Sequence, residues 1–469
     1  MAVKKASDLE TLTALGAEKL ARLVLEASKR DAGFKRLVAA AMAGAKGPKA
    51  VAIVIDRKIA ALNRATGFVE RDRAKTFASD LEMTLKAIVD ELGATDPISA
   101  VERALNFIAT HQRVFERIDD SQGRIQNIYE TVIDAMAPLV TSWPEAERER
   151  LPDLIMAALG TETHGYLPKV VSAVAGTIPA VALARWDKQL AARHAGGNAS
   201  GLIACRQAIA EARGDLDGYI ALEEIKHTNS QNSIEIAERL LNAGRATEAL
   251  EWVRHKRGRG IGYMSVADLA DGLGAQDPTS NRRVSLEARI LEALGDRAGA
   301  QDLRWSAFES TLGVASLREH IARLDDFAEF EVLDRAFDHA SSAKAAYTSL
   351  RFFIEWPNLE RAARLVVERQ DVWDGRHYYA LLPAAQILEE KHPAAATILY
   401  RALLNDILSR AKSAAYAHGA QYWARLDELG SASDASEIPN LSKHDAFRAE
   451  IAKTHGRKAG FWTRVRAIE

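Results

Sequence analysis

Along almost the whole 469-residue chain, apolar residues recur at spacings of three and four, and alternating apolar–polar runs are nearly absent. Such spacing puts side chains on one face of a helix, whereas a half-buried strand needs a period of two. The chain therefore reads as all-α. Its richness in Ala, Leu, Glu, Arg and Lys points the same way. Pro48 stands where a helix begins, because its missing N–H is no loss in a first turn. Val51, Ile55, Ile59 and Leu62 then fall on one apolar face. Ser7-Asp8-Leu9-Glu10 has the form of a capping box. Ala94-Thr95-Asp96-Pro97 closes one helix and opens another. Thr141-Ser142-Trp143-Pro144 breaks the helical pattern and marks the first expected boundary.

The later part of the chain carries a weak internal period. In LLNAGRATEALEW (240–252) a helix ends at Gly244, another begins, and the small Ala249 lets the two approach closely. Comparable turns fall at Gly214, Gly295, Asp326, Asn358 and His392. The successive intervals are 30, 51, 31, 32 and 34 residues. Four of them lie near the period of about 34 residues of tetratricopeptide hairpins. The long interval holds a Gly-rich insertion from GRGIGYM to GLGAQDPTSN. Ala follows five positions after Gly244, Gly295 and Asn358 only. A hairpin of this kind needs neighbours to bury its apolar face. The expected architecture is an α-solenoid of tetratricopeptide-like hairpins over 211–430, with a C-terminal capping segment at 431–469. An N-terminal helical bundle (1–142) and a helical connecting region (143–210) precede it.

Charge narrows the function classes. The 64 acids and 62 bases nearly cancel, giving a formal charge of -2, so no global field draws the chain to nucleic acid or an anionic membrane. Cys205 is the only cysteine, which excludes an internal disulfide and a zinc site built on several thiolates. The start, MAVKKASDLETL, passes straight into a charged helix, so no secretory signal is expected. The apolar runs are too short to span a bilayer. A cytoplasmic protein with no membrane contact is the resulting expectation.

RIDDSQGRIQNIY (117–129) sets two acids, a hydroxyl and a glycine between two apolar helical runs. An EF-hand register starting at Asp119 fails, because Gly123 stands where a ligand is needed and Arg124 where a glycine is needed. Adjacent Asp119 and Asp120 tend to point apart and make a poor acid/base pair. The favoured reading is a joint at which Asp120 or Ser121 caps the helix of Ile125, Ile128 and Val132, with Arg117 or Arg124 neutralising a carboxylate. Asp119, Asp120, Ser121 and Arg124 remain the candidate polar site. A metal-dependent hydrolase working through Asp119 and Asp120 is the weakest functional reading.

A second candidate is RHKRGRG, in which Arg254, Lys256, Arg257 and Arg259 precede flexible glycines and Tyr263. Cations followed by an aromatic suit phosphate gripping and base stacking, yet they equally suit a helix C-terminus. Near the end, Arg457 and Lys458 of HGRKAGFW form a further candidate anion contact. His444 and His455 share a helical face but have no evident third metal ligand. An end helix docking through Phe447, Ile451, Phe461 and Trp462 is the simpler expectation. DGRHYY (374–379) reads as a polar turn with ring packing, and AGGNASG (195–201) as a loop. No H-E-x-x-H, G-x-S-x-G or G-x-x-x-x-G-K-[ST] motif occurs, so no catalytic residue, cofactor or metal site is assigned.

The run ALGDRAGAQDLRWSAFE within 291–309 resembles the helical-repeat region of bacterial SWIM zinc-finger proteins and of a similar bacterial family without the finger. HPAAATILYRALLNDIL, YAHGAQYW and HGRKAGFW are similar to the end of that fingerless family, and RIDDSQG resembles a turn of both. The resemblance implies the all-helical fold. Without the finger it carries over no nucleic-acid role and no catalytic residues. Sequence alone thus points to an intracellular helical-repeat scaffold or adaptor that binds a protein or peptide, with a nucleic-acid accessory role through 254–259 as the alternative.

Overall fold

The computed structural model describes residues 12–30, 34, 38, 42, 47–161, 165–194, 199–255, 264–274, 277–325 and 327–468. The Ser7–Glu10 capping box and the turn residue Asp326 lie outside this set. The described residues are all-helical, and their only strand-like pairing is a parallel bridge between Val69 and Ile118. Two compact units result, Met1–His227 and Thr228–Glu469.

The first unit begins with α1 (Ala17–Arg30), α2 (Pro48–Arg64), α3 (Arg71–Lys86), α4 (Pro97–Ile108), α5 (His111–Phe115), α6 (Arg124–Asp134) and α7 (Met136–Thr141). It continues through α8 (Glu145–Arg148), α9 (Leu151–Leu159), α10 (Tyr166–Val174), α11 (Ala180–His194), α12 (Ala199–Ala212) and α13 (Leu216–Glu224). Pro48 occupies the first turn of α2, and the Asp96 carboxylate caps α4 by accepting from Ser99 N at 3.1 Å. Val51, Ile55 and Ile59 are buried, as their spacing requires. One continuous core runs from Val51 to Ile209 and includes the fully buried Phe107, Tyr129 and Trp186. α3 passes into a π-helical turn, Ala87–Leu92, which ends at Gly93. A Cβ on Gly93 would lie 2.6 Å from a Leu139 methyl, so this residue lets the chain pass close to α7. Of the stretch read as a loop, residues 195–198 lie outside the described set, while Ala199, Ser200 and Gly201 belong to α12, which corrects the loop reading for these three. The strong helix formers after them draw the helix back over a tolerated glycine.

The second unit contains α14 (Ser233–Asn242), α15 (Ala246–Arg254), α16 (Val266–Ala270), α17 (Ser280–Ala293), α18 (Arg297–Thr311), α19 (Val314–Ile321) and α20 (Glu329–Ser342). Next come α21 (Ala346–Glu355), α22 (Leu359–Glu368), α23 (Tyr378–Leu388), α24 (Pro393–Ser409), α25 (Tyr416–Ala435), α26 (His444–His455) and α27 (Ala459–Arg466). Its most extensive helix contacts join neighbours in sequence, such as α14 with α15, α17 with α18 and α24 with α25. The core spans Ala267 to Val465, and Phe447, Ile451 and Phe461 of the last two helices are buried in it. A smaller cluster around Ala288, Leu291 and Ala300 receives Leu250 and Leu303.

The joints share one backbone device. Gly244 and Gly295 adopt left-handed φ values of 76° and 85°. Arg245 N and Asp296 N then reach back to the carbonyls of Leu240 and Leu291, each at 2.9 Å, so orphan carbonyls at the helix ends are satisfied. Gly214 in the first unit makes the same turn, with Asp215 N on Ala210 O at 2.9 Å. Asp215, Asp296 and Asn358 cap the helices that follow. Ala249 and Ala300 are fully buried where the paired helices come closest.

Candidate functional site

In the first unit the loops before α3 and before α6 are joined. Val69 N donates to Arg117 O at 2.7 Å, and Arg117 Nε donates to Gly67 O at 2.8 Å. Asp120 turns both carboxylate oxygens onto the start of α6, accepting from Ile125 N at 2.9 Å and Gln126 N at 2.8 Å. Gly123, at φ 67°, lets the chain double back so that this can happen. Asp120 is therefore the side chain that caps the helix. The Asp119 carboxylate accepts from Ser121 N at 3.1 Å, and Arg124 pairs with Glu82 on α3 at 3.1 Å. Arg117 spends its Nε on a carbonyl, not on either aspartate.

A pocket of about 470 Å³ opens beside this joint. Asp119, Asp120, Ser121 and Arg124 all line it, and Phe68, Glu70, Arg71 and Lys75 supply its other wall. The four predicted residues thus meet at one place with charges of both signs. With both Asp120 oxygens held by backbone amides, the arrangement is a cap first, not a pair sharing a proton. Among the described residues no group of three or more His, Cys, Asp or Glu side chains is placed to hold a metal.

The basic candidates fall elsewhere. Arg254 ends α15 and pairs with Glu287 on α17 at 2.6 Å. Lys256, Arg257 and Arg259 lie outside the described residues. Arg457 is exposed in the joint between α26 and α27, and Lys458 is half-buried beside it as the residue before α27. His444 and His455 are the two ends of α26; His444 Nε2 meets Asp427 at 2.9 Å, while the His455 carbonyl accepts from Trp462 Nε1 at 3.0 Å.

The second unit holds a groove that reading the sequence missed. It encloses about 280 Å³ between α16, α21 and α23; its lining includes the apolar Val266, Leu350, Ile354, Tyr379 and Pro383, and the polar Ser265, Arg351 and Glu355. α16 lies in the Gly-rich insertion, yet it packs on α21 and α23, helices far downstream. Asp271 reaches the start of α21, where its carboxylate accepts from Tyr347 N at 3.0 Å and from both Thr348 N and Thr348 Oγ1 at 2.7 Å. Ala345, the residue before α21, offers no capping side chain, so Asp271 supplies the cap from a distant stretch of chain. Arg351 Nη1 donates to Ser265 Oγ at 2.8 Å. Burial, and then the nearby Asp374 and Asp271 charges, keep the Tyr347 phenol above its usual range. Its hydroxyl donates to Val372 O at 3.2 Å and accepts from Asp374 N at 2.7 Å. The hydrogen bond from Arg376 holds the Asp374 carboxyl below its usual range, which fixes the turn leading into α23. The one local signal for all this was Ser265-x-x-Asp268, a capping box that the structure forms around α16.

A family model described as a family of unknown function (DUF6880) matches residues 2–200 and 189–464. The chain belongs to this family. No curated protein and no solved structure matches it. In this DUF6880 chain the pocket beside Asp119 lies within the first matched segment, and the groove beside Tyr379 lies within the second.

Proposed function

We propose that the chain is a helical-repeat scaffold that binds a protein or peptide through the groove of its second unit. The observation that carries this reading is the exposure of large apolar side chains beside an apolar groove. Tyr379, which lines the groove, is 64% exposed, and the ring of Tyr378, also exposed, has its centroid 3.8 Å from that of Tyr379. Large apolar side chains left exposed beside an apolar groove are characteristic of interaction sites. Contacts between successive hairpins, the repeated left-handed glycine joints and the buried Ala residues support a tetratricopeptide-like solenoid, related to the helical part of SWIM zinc-finger proteins. Such stacks use their curved faces to hold extended partners. A single cysteine suits work inside the cell, and no helix among the described residues is long and apolar enough to cross a membrane.

Affinity purification of the tagged full chain from its native host tests the reading. A stoichiometric protein partner is expected with the wild type, and at least a tenfold loss of it with Tyr379→Lys and with Tyr378→Lys. Both sites are exposed, so the fold is retained. Absence of such a partner, or its equal retention by both variants, overturns the proposal.

A further inference from the structure

The segment Met264–Leu273 sits across α21 and α23 in an unusual manner. Its inward residues are small or polar: Ala267 joins the core, Ala270 packs against it, and Asp268 is only 2% exposed. Its large residues, Met264, Val266, Leu269 and Leu273, stay exposed, Val266 beside the groove. Beyond the packing of Ala267 and Ala270, the segment is held by the carboxylate of Asp271 on Tyr347 and Thr348 and by the Ser265–Arg351 contact. These contacts are directional and polar, and another carboxylate can replace them atom for atom. Seating also carries a penalty. Asp268 Oδ2 accepts from Ser265 N at 3.1 Å, while buried Oδ1 has no hydrogen-bond partner. A buried acceptor left unmatched opposes the docked state, and release into water satisfies it.

We propose that Ser265–Asp271 is a displaceable internal ligand, and that the partner taken by this surface is an acidic peptide segment that competes with it. The inference rests on the peptide-binding reading given above and names both the partner's chemistry and its regulation. The seated segment shows what the surface recognises: a carboxylate at the start of α21 and, six positions earlier in the peptide, an acceptor for Arg351. In the internal ligand that acceptor is a neutral hydroxyl. A carboxylate there would form a charge-assisted bond with the guanidinium, so a peptide with acids at both positions outbinds the tethered copy. Tethering gives the internal segment a high effective concentration, which keeps the surface covered until such a partner arrives. Asp at the first position also retains the helix cap that Ser265 supplies.

The test uses the full chain and a variant in which residues 264–274 are replaced by a Gly/Ser linker of equal length. The probe is a synthetic peptide with the sequence of residues 264–274, end-blocked, followed by calorimetry or NMR titration. Binding to the linker variant at least tenfold tighter than to the wild type is expected. Asp271→Asn in the peptide should weaken it at least tenfold, and Ser265→Asp should strengthen it threefold or more. In the intact protein, Asp271→Asn should speed hydrogen exchange over 264–274 without altering the thermal transition. Equal binding to both chains, or no binding to either, overturns the inference. So does a linker variant that loses cooperative unfolding, since the segment would then be an obligatory part of the fold. Failure here alongside a native partner lost on Tyr379→Lys leaves the peptide-binding reading standing. Tight peptide binding with no native partner does the reverse.

Discussion

At the scale of single residues, the joint at 117–126 turns on one carboxylate. Asp120 satisfies two of the amides that a helix start leaves without an intrahelical partner, while Ser121 contributes only its own amide, to Asp119. Asp120→Ala should therefore lower stability by about 1 kcal/mol, the usual cost of a lost cap. Ser121→Ala should stay within about 0.5 kcal/mol of the wild type. Urea unfolding of the two variants checks the difference, and equal midpoints would show that the cap does not stabilise the joint. Sequence pattern alone brought out Asp119, Asp120, Ser121 and Arg124 as one cluster, because capping residues concentrate where helical periodicity stops. It did not choose between Asp120 and Ser121 as the cap. That choice depends on the left-handed turn at Gly123, which swings the earlier residue over the helix start. Nor could it show that Arg124 would turn away to Glu82, 42 positions earlier in the chain.

At the scale of elements, local rules acted where their causes were local. Pro48, Asp96, Asp296 and Asn358 each open a helix in the structure, since caps and first-turn prolines act within a few residues. The docking of α16 on α21 was not legible. Its hydrogen bonds join residues 76, 77 and 86 positions apart, and no period or cap in the insertion encodes that pairing. The turn before α23 was legible as a turn but not as a packing device. Gly375 lies against α24 so closely that an added Cβ would overlap the Ala402 carbonyl oxygen and meet Asp406 Cβ at 2.7 Å. Backbone in a packed helix cannot yield as a long side chain can. Gly375→Ala should consequently cost about 1–3 kcal/mol, as overpacking does, and shift α23 away from α24. Faster hydrogen exchange in 378–388 together with a lower thermal midpoint is the expected result; an unchanged midpoint would mean that the contact is slack.

At the scale of the whole molecule, two extensive sets of buried side chains stand apart among the described residues, with the small Ala288–Leu291–Ala300 cluster beside them in sequence. One runs from Val51 to Ile209 and the other from Ala267 to Val465. Between α13 and α14 the residues from Glu224 to Asn232 are mostly exposed. Periodicity located the helices on both sides but offered no measure of which helices share a core, because that depends on contacts remote in sequence. Segments of roughly 200 residues are large enough to bury a core of their own. Chains ending at His227 and beginning at Thr228, expressed separately, should each keep their helical circular dichroism and unfold in one cooperative transition. The second should also bind the 264–274 peptide once its own copy is replaced by linker, since Tyr347, Thr348 and Arg351, which hold that segment, all lie after Thr228. Aggregation or non-cooperative melting of either piece would show that the two cores depend on one another, whereas two sharp transitions would fix the unit boundary within the exposed stretch before α14.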